Sequence, residues 1–314
     1  MDGILIINKP HGKTSYSMVA MVKRLSGERR VGHAGTLDPA ATGVLPVCLG
    51  QGTRITEYLM DATKTYQAQI ELGIATDTYD ATGKITRQID PSDINREKVE
   101  SALTFFRGDI QQVPPMYSAV KYHGQPLYKL ARSGINIARK SRPATVYRLE
   151  ITGWQSPVFT VEVECSKGTY IRALANDLGQ LLGCGAHLKS LIRLKCGIFG
   201  IEDAVSVSKL EEAFRYGYWQ HFVYPIDSVL SHWGARVVDT TTENIIKNGS
   251  SVSFVNGDKS EDDHPTKSEL PPQSPNESYC RAYTLDGYFI SVLRFNAESM
   301  RWQPDKVFHK SSRS

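Results

Sequence analysis

The chain has 314 residues, 40% of them hydrophobic and 22% charged, enough for two domains of ordinary size, each with its own core. It holds no apolar run of membrane-spanning length, and Met1-Asp2-Gly3-Ile4 does not open a signal peptide, so a cytoplasmic protein is expected. Net charge is +4, but residues 256–280 carry six acids and two lysines, a local −4 that leaves +8 on the remainder, an imbalance that favours a polyanionic partner.

The five cysteines, at 48, 165, 184, 196 and 280, are scattered, odd in number and never spaced Cys-x-x-Cys. They suggest neither a disulfide framework nor a zinc site, and read as reduced, mostly buried thiols.

In chain order, Gly3-Ile4-Leu5-Ile6-Ile7 is a buried strand that ends at Asn8-Lys9-Pro10. Lys9 at its end reads either as a phosphate contact or as a solvated lysine. Thr14 or Ser15 caps a helix through about Leu25, with Met18, Val19, Val22 and Leu25 as its inner stripe. From Arg30 to Arg54 the chain places glycines at 32, 35, 43, 50 and 52 around one carboxylate, Asp38, with His33 five residues ahead. Glycine serves where the backbone takes positive φ or something approaches closely. Pro39 pushes Asp38 onto an extended or turning backbone. An acid in such a loop is a candidate for chemistry, though the loop also reads as an ordinary turn.

Ile55 to Leu59 reads as helix. Lys64 to Gly73 alternates, with Tyr66, Ala68, Ile70 and Leu72 on one face, as a half-buried strand does. Thr76 to Thr86 is polar and turn-rich, and Asn95 to Phe106 looks helical. Gln112 to Arg142 lacks sustained periodicity and interleaves Tyr117, Tyr122 and Tyr128 with Lys121, Lys129, Arg132, Arg139, Lys140 and Arg142. That composition suits either a surface that grips a nucleic-acid backbone and stacks on bases or a solvated excursion.

Thr145–Gly153 and Pro157–Cys165 read as strands. Ser166-Lys167-Gly168-Thr169-Tyr170-Ile171-Arg172 leads into a helix whose apolar side is Leu174, Leu178, Leu181 and Leu182. Arg172 falls in its first turn, where the helix dipole disfavours a cation, so an acidic partner is expected. Ala186 to Phe199 is strand-like and Val207 to Tyr216 helical. After Ser231 come a strand–helix unit over Ala235–Gly249 and a Ser-, Pro- and acid-rich stretch, residues 256–280, expected to be disordered or a long exposed loop. The final hairpin turns at Asp286-Gly287.

The stretch Gly32-His33-Ala34-Gly35-Thr36-Leu37-Asp38-Pro39-Ala40-Ala41-Thr42-Gly43-Val44-Leu45 closely resembles the signature of the bacterial tRNA pseudouridine synthase B family. Lys9-Pro10, Lys64-Thr65-Tyr66, Pro114 to Lys121, Arg142-Pro143 and Ser166 to Arg172 resemble further family blocks in family order. The resemblance covers residues 1 to about 230, and the tail is similar to the family's PUA-like RNA-binding domain. It implies an α+β fold: a mixed, largely antiparallel sheet flanked by helices over 1–230, a gripping insertion at 112–142, and a small β-rich domain over 231–314. It also implies isomerisation of uridine 55 in the T-loop of tRNA, by breaking the glycosidic bond, turning the ring and rejoining it through carbon, without cofactor or metal.

Carried over residue by residue, the resemblance makes Asp38 the catalytic aspartate and Tyr66 the ring that stacks on the flipped base. Arg172 becomes the aspartate's partner, Leu191 a pocket wall and His33 the side chain that enters the T-loop. Tyr170 joins the substrate-binding set, and Lys9, Lys121, Arg132, Arg142 and Lys167 are candidate RNA contacts. Arg172 beside Asp38 is expected to lower its pKa. Alone, Tyr66 reads as a core tyrosine and His33 as a loop histidine bonded to backbone. The expected partner is tRNA, through T-loop and T-stem, bound by a monomer with no membrane and no obligate protein partner.

Two departures stand out. Where the family has Leu-Arg-Arg this chain has Leu191-Ile192-Arg193, and the acidic stretch 256–280 interrupts the tail. The rival readings are a non-enzymatic RNA-binding protein, which has no use for Asp38, and an aspartyl-phosphate nucleophile loop. The second needs an apolar strand before Asp38 and magnesium-binding acids nearby, and neither is evident in sequence.

Overall fold

The computed structural model describes residues 1–254 and 278–310. In chain order the N-terminal part holds β1 (Gly3–Lys9), α1 (Ser15–Ser26), β2 (Val31–His33), β3 (Thr42–Leu49), α2 (Thr56–Asp61), β4 (Lys64–Leu72), β5 (Ile74–Thr76), β6 (Ile85–Gln88) and α3 (Arg96–Leu103). Next come β7 (Gly108–Gln112), β8 (Lys121–Tyr122), β9 (Gln125–Pro126), α4 (Leu127–Arg132), β10 (Arg142–Gln155), β11 (Val158–Cys165) and α5 (Ile171–Leu181). This part closes with β12 (Ala186–Cys196), β13 (Phe199–Gly200), β14 (Val205–Ser206) and α6 (Val207–Tyr216). One sheet runs β14-β1-β3-β12-β4-β11-β10-β7. Its β4, β11, β10, β7 run is antiparallel throughout, whereas β1–β14 and β12–β3 are parallel. The expected mixed, largely antiparallel sheet with flanking helices is what forms.

Its core follows from alternation. Ala68, Ile70 and Leu72 of β4 and Phe159, Val161 and Val163 of β11 point to one side, where Leu174 and Leu178 of α5 cover them. Burying a side chain of this size contributes roughly 1.5–3 kcal/mol. Leu181, expected on that apolar side, is exposed because α5 ends there. Thr14 caps α1 by accepting from Ser17 N at 3.0 Å, and Gly27 ends the helix in the left-handed region at φ 69°. Thr76–Thr86 holds the turn-rich connection of the β5–β6 hairpin, residues 77–84. The segment 112–142 is not structureless: it carries the β8–β9 hairpin and α4, anchored by buried Met116, Ser118 and Leu127.

The chain divides into two compact units. One comprises Leu5–Val47 and Thr56–Phe222; the other comprises Met1–Ile4, Cys48–Ile55 and Val223–Ser314. The smaller unit thus starts a few residues before 231 and takes in two short N-terminal pieces. It holds β15 (Val223–Tyr224), β16 (Gly234–Val238), α7 (Thr240–Lys247), β17 (Tyr279–Thr284), β18 (Phe289–Asn296) and β19 (Arg301–Val307), the last four strands forming a sheet in that order. Gln51 ties one short piece in, accepting from His309 N at 2.9 Å and donating to His309 O at 2.7 Å. The Asp286-Gly287 turn joins β17 to β18 as expected. Most of the acidic stretch lies outside the described residues. Its end fits neither disorder nor an exposed loop, since Tyr279 and Cys280 open β17 and Cys280 is buried in the unit's core. Among the described residues no helix is long and apolar enough to cross a membrane.

Candidate active site

Asp38 sits in the loop between β2 and β3, and that loop is clamped from several sides. Ser15 Oγ accepts from Leu37 N at 2.9 Å and donates to Leu37 O at 3.1 Å. Gly12 N donates to Pro39 O at 2.8 Å. Lys9 Nζ donates to Lys13 O at 2.7 Å, Pro10 O at 3.0 Å and Pro39 O at 3.3 Å. Lys9 is 0% exposed, so it is not the outward RNA contact anticipated for it. Its ammonium, at the end of β1, is consumed in fixing the loop. Burial lowers its pKa to about 8, against the pull of Asp38.

That lowering has a testable sign. Between pH 8 and 10 an unfolded Lys9 keeps its proton while the folded one releases it, so this group adds stability as pH rises. Lys9→Met is therefore expected to remove part of that rise. Urea unfolding midpoints of both proteins across pH 7–10 check this, and parallel curves would refute it.

Arg172 reaches Asp38 from the first turn of α5. Its Nη2 lies 2.8 Å from Asp38 Oδ2 and donates to Tyr117 O at 2.9 Å, and its Nη1 lies 3.4 Å from Asp80 Oδ2. Two carboxylates thus offset the unfavourable dipole at this helix end. The guanidinium is buried, while 45% of the Asp38 side chain remains open, leaving the carboxylate held from one side and accessible from another. Arg172 does pull the Asp38 pKa down, but desolvation outweighs it and the net shift is upward, with Asp80 adding to the rise and Lys9 opposing it.

Asp80 was not among the sequence candidates. Its Oδ1 accepts from Thr78 Oγ1 at 2.8 Å, Thr82 N at 2.9 Å and Thr82 Oγ1 at 2.5 Å, which fixes the other oxygen on Arg172. The available signal was the Thr76-Asp77-Thr78-Tyr79-Asp80-Ala81-Thr82-Gly83 run, whose short polar side chains bond their own backbone in turns.

β4 and β12 carry Tyr66 and Leu191. Their antiparallel register sets Leu191 against Ala68 and Arg193 against Tyr66, and Tyr66 and Leu191 both pack on the core while staying partly open. Burial pushes the Tyr66 phenol up to about 12, and the charge of Arg193 opposes that. Burial, then the Arg193 charge, lowers the His33 pKa, which favours the neutral imidazole, and His33 Nδ1 is buried with no bonding partner. Arg193, the family arginine that this chain retains, is 1% exposed and cannot reach a tRNA phosphate. Lys64, also buried, gathers the α2 end by donating to Leu59, Met60 and Ala62 carbonyls.

Tyr170 joins this neighbourhood. Its backbone is held by Gln112, and its phenol, raised mainly by burial, senses Arg172, Asp38 and Arg142. Lys121, Arg132, Arg142 and Lys167 are exposed. Arg132 lies over the Tyr128 ring at 5.5 Å, and Lys167 pairs with Asp61 at 2.8 Å.

With this arrangement established, comparison with known proteins is specific. Residues 23–171 match the model for the N-terminal domain of TruB family pseudouridylate synthases, and residues 172–231 match the C-terminal domain of tRNA pseudouridylate synthase B. The chain belongs to the TruB family. A tRNA pseudouridine synthase B of Dehalococcoides mccartyi is 42% identical to it over 99% of this chain and 98% of its own length. The namesakes from Pseudomonas aeruginosa and Clostridium tetani are 45% and 41% identical, over 74% and 80% of this chain and 77% and 86% of theirs. The fold of this TruB member is also that of the crystal structure of a Cbf5-Nop10-Gar1 complex, at a TM-score of 0.71 and 24% identity, covering 98% of this chain and 85% of that one.

Proposed function

We propose that this TruB family chain is a tRNA pseudouridine synthase that isomerises uridine 55 of the T-loop, with Asp38 as its catalytic carboxylate. The observation that carries the reading is the Asp38–Arg172–Asp80 chain of contacts: one carboxylate oriented by a buried guanidinium yet open to a ligand. Arg172 holds Asp38 in place, and the desolvated site makes that carboxylate a stronger base and nucleophile than one in water. Tyr66 and Leu191 form the wall against which an extruded uracil packs, and Tyr170 borders the same space. Extrusion costs roughly a few kcal/mol, which stacking on an aromatic ring and insertion of a side chain into the gap both offset. His33, neutral and unpartnered at Nδ1, supplies such a side chain.

In the reaction the bond from the ribose to N1 of uracil breaks, the ring turns, and the ribose carbon bonds to C5. The proton on C5 is lost and N1 gains one, so the product is an isomer and the balance closes without redox change. Asp38 acts as nucleophile or base. Lys121, Arg132, Arg142 and Lys167 grip phosphates, the 112–142 segment closes on the T-arm, and the domain from 231 to 314 adds PUA-like RNA contacts. The enzyme works as a cytoplasmic monomer. The test is to incubate unmodified tRNA with the protein and map pseudouridine by carbodiimide-dependent primer-extension stops. One new stop at position 55 is expected. Binding with no stop would leave an RNA-binding protein instead.

A further inference from the structure

Arg193, 1% exposed, is a buried cation beside the site with no carboxylate to pair with. β12 lies between β3 and β4, and Arg193 sits where all three meet, paired with Gly43 of β3 on one side and opposite Tyr66 of β4 on the other. Its Nε donates to Val44 O at 2.6 Å and its Nη2 donates to Gly35 O at 3.0 Å, and across the β4–β12 pair it lies beside Tyr66, whose phenol feels its charge. Its hydrogen-bond partners are two carbonyls, with a phenol beside it and no carboxylate among them. A buried cation paired this way is costly, and an apolar side chain of similar size commonly stabilises as well or better. What an apolar residue cannot supply is a planar fork that donates to two carbonyls while facing a phenol.

The fit around it is close. Gly43 has φ 100°, and a Cβ there would overlap the Arg193 backbone carbonyl. Gly35 has φ 84°, and a Cβ there would lie 3.4 Å from Nη1. Gly35 and Val44 bracket the loop that carries Asp38, so one guanidinium holds that loop beside Tyr66.

We propose that Arg193 is a positioning residue for the isomerisation, its guanidinium locking the Asp38 loop to the Tyr66 phenol so that carboxylate and stacking ring keep one spacing across the flipped uracil. This rests on the pseudouridine synthase reading and deepens it. Misplacing catalytic groups by about 1 Å costs on the order of 100-fold in rate, and that is the expected size of the effect.

Arg193→Lys keeps the charge but loses the fork. At saturating tRNA its single-turnover rate is expected to fall about 100-fold, with the tRNA Kd within about threefold of wild type. Arg193→Gln, which loses the charge as well, should be slower still, so that lysine gives partial rescue. Tyr66→Phe keeps the ring and removes only the hydroxyl that Arg193 faces; it too should lose rate and keep Kd. Because the two residues act as a unit, Tyr66→Phe/Arg193→Lys should be no slower than the slower single variant. A full rate in Arg193→Lys, a loss that appears in Kd, or rate losses that multiply in the double variant would each overturn the proposal. Should Arg193→Lys fail to fold, Tyr66→Phe still decides, since an undiminished rate there refutes the link. Wild-type protein is the control: no product from it would sink the functional reading itself, independently of Arg193.

Discussion

Asp38→Asn is expected to abolish pseudouridine formation, by about 10⁴-fold or more in single-turnover rate, as loss of a residue that takes part directly in bond making does. Asparagine matches the carboxylate in size and can still accept from Arg172, so the loop clamped by Ser15 and Lys9 keeps its shape. The tRNA Kd should stay within about threefold of wild type, because phosphate contacts carry most of the affinity. Time courses of primer-extension stops beside filter binding separate the two quantities. A substantial rate in D38N would take the chemistry away from Asp38 altogether. The same carboxylate sets a pH expectation. Its pKa lies above the ordinary 3.8 because burial outweighs the pull of Arg172, and the reaction needs the ionised form. The rate should therefore fall with acidification at a pH above 3.8, and in wild type that acid limb should lie higher than for a solvated aspartate.

Much of the fold was legible because its apolar residues are periodic. The alternation in β4 and the Asp286-Gly287 turn each carry their own local signal and formed as read, while in α1 Met18, Val19 and Val22 are buried as read, but Met21 joins them and Leu25 stays half-open. The site was legible where a motif names a residue, as at Asp38, and where local physics demands a partner, as for Arg172 at a helix N-terminus. The burial of two cations was not legible. Lys9 reads in sequence as a phosphate contact or a solvated lysine and Arg193 is assigned no role, since lysine and arginine are seldom fully buried. What buries them is long-range: Lys9 meets a carbonyl 30 residues later, and Arg193 meets one 149 residues earlier. No window of sequence holds both partners. Asp80 was missed for a related reason. Its turn is recognisable, but that its free oxygen faces a helix 92 residues away depends on how the β5–β6 hairpin packs beside α5. Leu181 shows the converse error, an apolar residue assigned to a face that the helix does not live long enough to bury.

Arg172→Gln should damage the enzyme twice, and the two losses are separable. Catalysis should fall by about 10³-fold, since Asp38 loses the donor that orients it and the charge that opposes its protonation. Stability should fall by about 3 kcal/mol, the lower end of the range for removing one partner of a buried ion pair; the donors from Thr78 and Thr82 remain to satisfy Asp80 in part, and the half-open Asp38 can turn to water. Most of the stability loss comes from Asp80, whose side chain is 13% exposed and would be left as a buried charge without its cation. Adding Asp80→Asn to Arg172→Gln should therefore restore most of the stability, because two neutral amides replace the broken pair, while the rate stays low. Thermal or urea unfolding of both variants, beside their single-turnover rates, tests this. If stability and rate returned together in the double variant, Arg172 would act on the reaction only through folding. If neither returned, Asp80 would not be the charge that Arg172 neutralises, and the guanidinium would matter chiefly for its bond to the Tyr117 carbonyl.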